Sequence, residues 1–293
     1  MNSAELYVVT GASGRTGAAV ARTLLNAGKR VRVVVRDAGK GSIWANLGAE
    51  VVVASFTDIP GLRNALSGAT GAYIISPPQY ASEDLFTQAE IMASAIAEVV
   101  IKVQLPKIVA LSSIGADRSN GTGLIAMNRI LEQYLGQTGL PVTMLRAAYF
   151  MENWSPMIKA ASVQGELLSF LSPLNRKIPM IATNDIGRIA AEALCEHWND
   201  TRVIELEGPI TYSPDDLANS LTTEFGKIVK SVVIPDWSEA LSGSGMSMNA
   251  IEGFMEMTRA LNSGHIAFTD NTNIAHRKGR ISLDNAVATM ISL

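Results

Sequence analysis

The stretch YVVTGASGRTGAAVARTLLNAG, residues 7–28, indicates how the fold of this chain begins. It runs from an apolar strand pattern through a glycine-rich turn into a helix pattern rich in Ala and Leu. The turn contains three glycines at equal intervals: Gly11, Gly14 and Gly17. In a dinucleotide-binding loop the first permits a tight turn, the second lets a pyrophosphate approach the backbone, and the third lets the helix pack closely. An ordinary glycine-rich turn is the alternative. The flanking strand and helix favour a phosphate site at the helix N-terminus, where Ser13 and Thr16 add hydroxyl donors.

The composition predicts a full hydrophobic core and no strong net charge. The chain has 293 residues, 47% of them hydrophobic, which is enough for one large domain or a core domain with a smaller companion. Its 24 basic and 27 acidic residues leave a formal net charge of −3, so neither a nucleic acid nor an anionic membrane surface is expected as a partner. The three histidines lack the spacing of metal ligands, and no metal site is expected.

Three further features concern the cellular compartment. Cys195 is the single cysteine, which excludes an intramolecular disulfide and fits a reducing environment. The first predicted strand begins at Leu6, so we expect no signal peptide. The longest apolar helical stretch, residues 85–103, is interrupted by charged residues and is not expected to span a membrane. These features predict a soluble, cytoplasmic protein.

Strand and helix patterns alternate through the first half of the chain. Strands rich in Val and Ile, with little polar alternation, are typical of a parallel sheet covered by helices on both faces. The predicted strands cover residues 6–10, 30–36, 50–55, 71–76, 107–113 and 141–147. The predicted helices cover residues 15–26, 61–67, 82–103 and 123–137. This pattern predicts an α/β fold of the Rossmann type, with a doubly wound parallel sheet.

The regular alternation of strand and helix patterns ends after about Phe150. Met, Pro and Gly become frequent, the predicted strands at 203–208 and 230–235 are short, and helical patterns dominate the end. We therefore divide the chain into an NADP-binding Rossmann domain, residues 1–150, and a smaller, partly helical region, residues 151–293. The second region is expected to bind substrate as a lid, with some of its segments returning to the core sheet. Ligands of open α/β sheets bind beyond the carboxyl ends of the strands, beneath such a lid.

The end of the second strand, VVVRD (residues 33–37), bears on the choice of cofactor. Enzymes that use NAD usually carry a carboxylate here for the ribose 2′-hydroxyl, whereas an arginine accommodates the 2′-phosphate of NADP. Arg36 holds this place, and Arg15 in the glycine loop is a second guanidinium able to bind the same phosphate. Two alternatives stay open: Asp37 points inward instead of Arg36, or Arg36 is a solvated surface residue. The sequence favours NADP(H) over NAD(H).

Several segments together resemble a known family. They are VTGASGRTG (9–17), VVVRD (33–37), ALSSIGAD (110–117), LEQYLGQTGLPVTMLRAAYFMEN (131–153), IPMIATNDIGRIAAEAL (178–194) and ALNSGHIAF (260–268). In this order they resemble the NmrA-like branch of the atypical short-chain dehydrogenase/reductases over nearly the whole chain. Known members include NADPH-dependent quinone reductases, a triphenylmethane dye reductase, phenylpropanoid reductases and redox-sensing regulators that bind dinucleotide without turnover. The resemblance implies the fold more specifically than the substrate.

The resemblance also implies cofactor contacts beyond the glycine loop. It implies that Thr57 and Asp58 lie by the adenine. It implies that the turn after the fourth strand lines the ribose next to the nicotinamide, although a plain turn stiffened by prolines is an equal alternative. The residues of this turn are Ser76, Pro77 and Pro78. Near the nicotinamide amide it implies the two residues that end the fifth strand and the three that follow the sixth. They are Ser112, Ser113, Ala148, Tyr149 and Phe150.

Short-chain dehydrogenases usually carry a Tyr-x-x-x-Lys pair in the helix after the fifth strand. The lysine lowers the pKa of the tyrosine, and the phenol exchanges a proton with the substrate. When this chain is aligned on LEQYL, the two places fall at Leu124 and Asn128, so both residues of the pair are absent. An isolated ketone needs a proton donor on reduction, whereas a reduced quinone is a delocalised anion that takes its proton from water. A quinone mainly requires correct positioning against the nicotinamide.

Few residues are left as candidates for the reaction site. Asn128 is able to hydrogen-bond the nicotinamide ribose or the incoming oxygen, and Tyr149 and Tyr80 are the remaining phenols near the predicted cleft. A packing or surface role is the alternative for each. We expect an NADPH-dependent oxidoreductase acting on a small quinone-like or other conjugated aromatic acceptor. A non-catalytic NADP(H) redox sensor acting through a protein partner is the alternative, and a homodimer is one arrangement left open.

Overall fold

The computed structural model describes residues 5–271 and 273–292. Its strands are β1 (Leu6–Thr10), β2 (Arg30–Val35), β3 (Glu50–Val53), β4 (Gly71–Ile74), β5 (Ile108–Ser113), β6 (Val142–Ala147), β7 (Tyr149–Phe150), β8 (Glu166–Ser169), β9 (Ile178–Ile181), β10 (Arg202–Glu207), β11 (Thr211–Tyr212), β12 (Lys230–Val233) and β13 (Ala275–Lys278). Its helices are α1 (Arg15–Asn26), α2 (Ser42–Asn46), α3 (Ile59–Leu66), α4 (Leu85–Lys102), α5 (Ala126–Gly136), α6 (Ser155–Gln164), α7 (Thr183–Cys195), α8 (Pro214–Phe225), α9 (Trp237–Leu241), α10 (Met248–Ser263) and α11 (Leu283–Ile291). Short 3-10 turns cover Ala38–Gly41, Gly123–Ile125 and Met151–Trp154.

A sheet of eight strands forms the centre of the fold, in the order β3-β2-β1-β4-β5-β6-β10-β13. Every neighbouring pair in this sheet is parallel. The predicted doubly wound α/β fold is confirmed, because the strand order runs outward in both directions from the adjacent strands β1 and β4. The strand predicted at residues 203–208 is β10, which joins this sheet beside β6.

Helices cover the sheet on both faces, and alternate side chains of one strand enter different apolar clusters. In β1, Tyr7 and Val9 share a cluster with α1 and α7, whereas Val8 belongs to a cluster with α3, α4 and α5. None of these three side chains is more than 1% exposed. Because both faces of the strand are buried, its sequence is continuously apolar rather than alternating.

Smaller layers follow β6 along the chain. Strands β11, β9 and β7 form a three-stranded sheet, and β12 pairs with β8. An aromatic cluster lies beside the second pair: the ring of Phe170 meets Trp237 edge-on at a centroid distance of 5.9 Å and Phe254 at 5.1 Å. The strand predicted at residues 230–235 is β12. Within residues 5–271 and 273–292, no helix combines the length and the apolar character needed to cross a membrane.

A buried ion pair fixes α5 to the sheet. Glu132 of α5 accepts hydrogen bonds from Arg146 of β6, with Nε 2.9 Å from Oε1 and Nη2 2.7 Å from Oε2. Ser112 of β5 donates its hydroxyl to Oε1 of the same carboxylate at 2.5 Å. The side chains of Arg146 and Glu132 are only 10% and 12% exposed. Because this carboxylate binds two strands at once, it fixes the placement of α5, which carries Asn128 one turn earlier.

Candidate functional site

A cavity of about 310 Å³ lies at the carboxyl ends of β1 and β4. Thr10 joins the two strands there: its hydroxyl donates to the carbonyl of Tyr73 at 3.0 Å and accepts from the amide of Ile75 at 3.2 Å. The helices that follow these strands, α1 and α4, pack on opposite faces of the sheet. Such a divergence opens the crevice in which doubly wound sheets bind ligands.

The cavity brings together residues that lie far apart in the sequence. The residues singled out in the sequence that line it are Gly11, Ser13, Gly14, Thr16, Arg36, Ser76, Pro77, Pro78 and Asn128. The structure adds apolar residues that the sequence did not single out: Val34, Val35, Ala54, Phe56, Leu62, Ile75 and Leu111. These additions stand at or next to the ends of predicted strands, or in the helix after one, which is the signal that could have identified them.

The packing at Gly11 and Gly17 of the glycine loop leaves no space for a side chain at either position. Gly11 has a φ of +65°, and a Cβ there would lie 2.1 Å from the Cδ1 of Ile75. Gly17 packs rather than lining the cavity, since a Cβ on it would lie 2.3 Å from the carbonyl oxygen of Gly11. Gly14, whose amide donates to that same carbonyl at 2.9 Å, stands at the start of α1. The loop therefore places backbone against backbone at the cavity.

The N-terminus of α1 has no side-chain cap. It shares this with α2, α4, α5 and α6, whereas α3, α8 and α10 are capped by Asp58, Ser213 and Ser247. The first amides of a helix have no partner within the helix, and its dipole is positive at this end. Gly14 and Thr16 line the cavity, so this uncapped N-terminus is available to an anion there.

Arg36 is the charged residue of the cavity lining in the described part of the chain. It is exposed, and no hydrogen bond or ion pair with another described residue engages its guanidinium. The adjacent carboxylate is occupied elsewhere, because Oδ1 of Asp37 accepts from the amide of Gly39 at 2.8 Å and caps the following 3-10 turn. Of Arg36 and Asp37, which follow β2, only Arg36 therefore lines the cavity.

Arg15 lies outside the cavity lining. Its Nη1 donates to the carbonyl of Glu152 at 3.1 Å, and its Nη2 donates to the hydroxyl of Ser155 at 3.3 Å. The carboxylate of Glu152 in turn caps α7 by accepting from the amide of Thr183 at 2.9 Å. Arg15 therefore joins the glycine loop to the start of α6.

Thr57 and Asp58 also lie outside this lining. Thr57 lines a second groove, of about 410 Å³, beside α4, and its hydroxyl is 3.1 Å from that of Ser55. Asp58 caps α3 by accepting from the amide of Gly61 at 3.0 Å. Near the end of β3 it is Ala54 and Phe56 that line the cavity.

The residues at the end of β5 and directly after β6 have structural partners of their own. Ser112 donates to Glu132, and the Ser113 hydroxyl donates to the carbonyl of Ile114 at 3.1 Å. Ala148 is 2% exposed and donates its amide to the carbonyl of Leu206 at 2.9 Å. Tyr149 and Phe150 form β7 beside β9, also outside the cavity lining.

A comparison of the sequence with models of protein families shows the family of this chain. The model of the NmrA-like family matches residues 4–286. The chain belongs to the NmrA-like family. Its similar proteins include the NAD(P)H azoreductase of Xenophilus azovorans, 23% identical over 255 residues that cover 86% of this chain and 86% of the relative. They also include quinone oxidoreductase 2 of Escherichia coli (strain K12), 25% identical over 245 residues that cover 82% of each.

Solved structures agree on the fold of this NmrA-like chain. The triphenylmethane reductase of Citrobacter sp. complexed with NADP(H) superimposes with a TM-score of 0.81 at 20% sequence identity. The alignment covers 98% of this chain and 100% of that one. Nearly the whole chain therefore has the same fold as this reductase.

The places aligned with the tyrosine and the lysine have different environments in this NmrA-like chain. Leu124 is 5% exposed and belongs to an apolar cluster with Leu85 and Met127. Asn128, one turn later, lines the cavity, and its side-chain amide makes no hydrogen bond within the described residues. An unpaired amide offers both a donor and an acceptor to a ligand.

The two tyrosines considered as proton donors, Tyr149 and Tyr80, lie outside the cavity lining. The ring of Tyr149 packs edge-on against Trp154 at a centroid distance of 6.2 Å. Burial raises the pKa of the Tyr149 phenol well above its usual value, and a hydrogen bond with Asn153 opposes that rise only in part. Tyr80 is 41% exposed in the segment that follows the Ser76–Pro78 turn. Tyr149 is therefore a weak acid as it stands.

Proposed function

We propose that this NmrA-like protein is an NADPH-dependent oxidoreductase that reduces quinones or similar conjugated aromatic compounds. The observation that carries the proposal is the cavity between β1 and β4, which is lined by the uncapped start of α1, by Arg36 and by Asn128. The names of two similar proteins, an NAD(P)H azoreductase and a quinone oxidoreductase, support the same class of reaction.

The residues of the cavity fit a dinucleotide that carries a 2′-phosphate. Arg36 follows β2 and Asn128 is on α5 above β5, so the sheet order puts them on opposite sides of the β1–β4 crevice. On the Arg36 side, Ala54 and Phe56 offer an apolar surface for the adenine. In the middle, the start of α1 would hold the pyrophosphate, while Arg36 would bind the 2′-phosphate. On the other side, Ser76–Pro78 and Asn128 would hold the nicotinamide riboside.

When bound, NADPH supplies the hydride. The residues near the nicotinamide end of the cavity favour an acceptor that needs no strong acid. Leu124 is apolar, and Tyr149 lies outside the cavity lining with a phenol whose pKa is raised by burial, which makes it a weaker proton donor. Asn128 is able to hydrogen-bond an acceptor oxygen or the nicotinamide ribose and so orient the two reactants. These properties favour quinones over isolated ketones.

The test is oxidation of NADPH by the purified protein, followed by absorbance, against a panel of quinones, azo dyes and triphenylmethane dyes, with NADH in parallel. We expect turnover with at least one conjugated acceptor and a preference for NADPH. Tight NADPH binding without turnover on any acceptor would contradict the proposed reductase activity and would indicate a redox sensor that acts through a protein partner.

A substitution in the glycine loop tests the cofactor site without any acceptor. Gly17→Ala places a Cβ 2.3 Å from the Gly11 carbonyl oxygen and 2.9 Å from that of Thr10, and both are backbone atoms that a side-chain movement cannot relieve. We expect the loop or the start of α1 to shift and NADPH affinity to fall by at least about tenfold, because close backbone approach is what binds the pyrophosphate.

The control is Gly136→Ala in α5, where no atom lies within 4 Å of the added Cβ. This variant is expected to bind NADPH like the wild type and to be equally or slightly more stable, by about 0.5–1 kcal/mol. Titration of NADPH fluorescence measures both affinities. Equal affinity in Gly17→Ala and wild type would contradict the assignment of this loop to the pyrophosphate.

A further inference from the structure

The segment between the Ser76–Pro78 turn and α4, residues 79–84, is held by the start of a helix far along the chain. The amide of Ser247 donates to the carbonyl of Tyr80 at 2.7 Å, and the hydroxyl of Ser247 donates to the carbonyl of Ser82 at 2.8 Å. The side-chain amide of Asn249 donates to the carbonyl of Glu83. Three backbone carbonyls of one segment are thus bound by two residues at the N-terminus of α10.

Residues 79–84 have little else to hold them. Four of them are exposed: Tyr80, Ala81, Glu83 and Asp84. Inside the segment, the amide of Ser82 donates to the carbonyl of Gln79 at 2.8 Å and the amide of Asp84 donates to the hydroxyl of Ser82 at 3.3 Å. At its end, the carbonyl of Asp84 accepts from the amide of Gln88 in α4 at 2.9 Å. Because the segment buries few apolar side chains, its order depends on the bonds from α10.

The first half of α10 also packs against the segment that precedes Asn128. Ala250, which is fully buried, packs in one cluster with Leu85 at the start of α4 and with Leu124 and Met127 before Asn128. Backbone contact reinforces this packing, since a Cβ on Gly123 would lie 2.0 Å from the carbonyl oxygen of Gly253 in α10. The start of α10 therefore contacts the segments on both sides of the proposed nicotinamide site.

We propose that Ser247 is a positioning residue, which sets the distance between the Ser76–Pro78 turn and Asn128 and so determines how an aromatic acceptor is aligned. This inference rests on the proposed reductase function. Ser247 does not line the cavity, and its effect passes through the 79–84 segment. Alignment within fractions of an ångström governs the rate of a transfer between two bound reactants.

The hydroxyl of Ser247 also caps α10 by accepting from the amide of Ala250 at 3.2 Å. The test must therefore separate this cap from the clamp, by which we mean the hydrogen bond from the Ser247 hydroxyl to the carbonyl of Ser82 in the 79–84 segment. Ser247→Asp keeps a cap acceptor but has no proton for the carbonyl of Ser82. Ser247→Thr keeps both bonds. Ser282→Asp is the matched control, because Ser282 caps α11 by accepting from Asn285 at 3.3 Å and makes no other side-chain bond among the described residues.

Two measurements decide the proposal. With the best acceptor of the panel, we expect Ser247→Asp to lower kcat/KM for that acceptor about tenfold, and to change the dissociation constant of NADPH less than twofold because the phosphate contacts are elsewhere. Hydrogen–deuterium exchange of residues 79–84 is expected to accelerate in Ser247→Asp alone. Ser247→Thr and Ser282→Asp are expected to match the wild type in both measurements.

Unchanged exchange in Ser247→Asp would overturn the clamp, and faster exchange with unchanged kcat/KM would overturn the positioning role. An equal loss of kcat/KM in Ser282→Asp would assign the effect to general stability and overturn the proposal as well. If the wild-type protein reduces no acceptor, the proposed function fails and the positioning role fails with it. The exchange rates, which need no turnover, then decide the clamp separately.

Discussion

Replacing Arg36 with glutamate is expected to lower the affinity for NADPH by at least about a hundredfold, because bonds between a guanidinium and a phosphate contribute about 1.5–3 kcal/mol each and the new carboxylate adds repulsion. The geometry supports this size of effect. Arg36 lines the cavity without a partner among the described residues, so binding a 2′-phosphate disrupts no existing ion pair. Asp37 is held in the 3-10 turn by Gly39 and does not compete for the same ligand.

NADH provides the internal comparison for Arg36→Glu. Its ribose carries a 2′-hydroxyl, to which a carboxylate at this position is the usual partner, so NADH affinity is expected to stay equal or to rise. The measurement is a fluorescence titration of both dinucleotides with both proteins. A variant that binds NADPH as well as the wild type does would refute the assignment of Arg36 to the 2′-phosphate.

The variant Lys40→Glu shows whether NADPH affinity depends on a direct contact with Arg36 or on the overall charge of the protein. Lys40 is exposed in the same 3-10 turn and lies outside the cavity lining, and its replacement changes the net charge by the same amount. We expect its effect on NADPH affinity to stay below about threefold at physiological salt, because an exposed charge outside the cavity lining makes no direct contact there and is screened by salt. A loss as large as that of Arg36→Glu would mean that overall charge, rather than one guanidinium, selects the cofactor.

The first half of the fold could be predicted because its signals are local. Strands such as β1 are buried on both faces, and they appear in the sequence as continuous Val- and Ile-rich runs. The glycine loop is likewise local, since the carbonyl oxygen of Gly11 accepts from the amide of Gly14 and lies close against Gly17, six residues along the chain. The predicted α/β fold with its doubly wound sheet is therefore confirmed. Gly11 and Gly14 line the cavity, and their contact with a cofactor stays a prediction.

The long-range partners could not be predicted, because the sequence does not show which distant group a side chain meets. Arg15 has the residue type of a phosphate ligand, yet it donates to Glu152 and Ser155, more than a hundred residues away along the chain. Asp58 has the residue type of a polar ligand, and it caps its own helix instead. Whether these residues turn to a bound cofactor stays a prediction, as do the contacts of Tyr149 and Tyr80.

The placement of α5 depends on the ion pair between Glu132 and Arg146, and the sequence alone does not show that these two charged side chains are buried. We expect Glu132→Ala to lower the free energy of unfolding by about 3–5 kcal/mol, because it leaves the guanidinium of Arg146 without its bidentate partner in a site that water hardly reaches. The side chain of Arg146 is 10% exposed, and the carboxylate of Asp117, its other ionic neighbour, is 3.8 Å away. Ser112 loses its acceptor in the same variant. Urea denaturation followed by circular dichroism measures the change.

Two comparisons show whether the loss comes from the unpaired charge or from the shortened side chain. Gln133→Ala alters the exposed neighbour on the same helix and is expected to change the free energy of unfolding by less than about 0.5 kcal/mol. The double variant Glu132→Leu with Arg146→Met removes both charges and keeps the volume, so it is expected to recover most of the stability lost in Glu132→Ala. If the double variant is as unstable as the single one, the charge is not the cause. In that case the packing of α5 on β5 and β6, rather than the ion pair, determines where Asn128 meets the cavity.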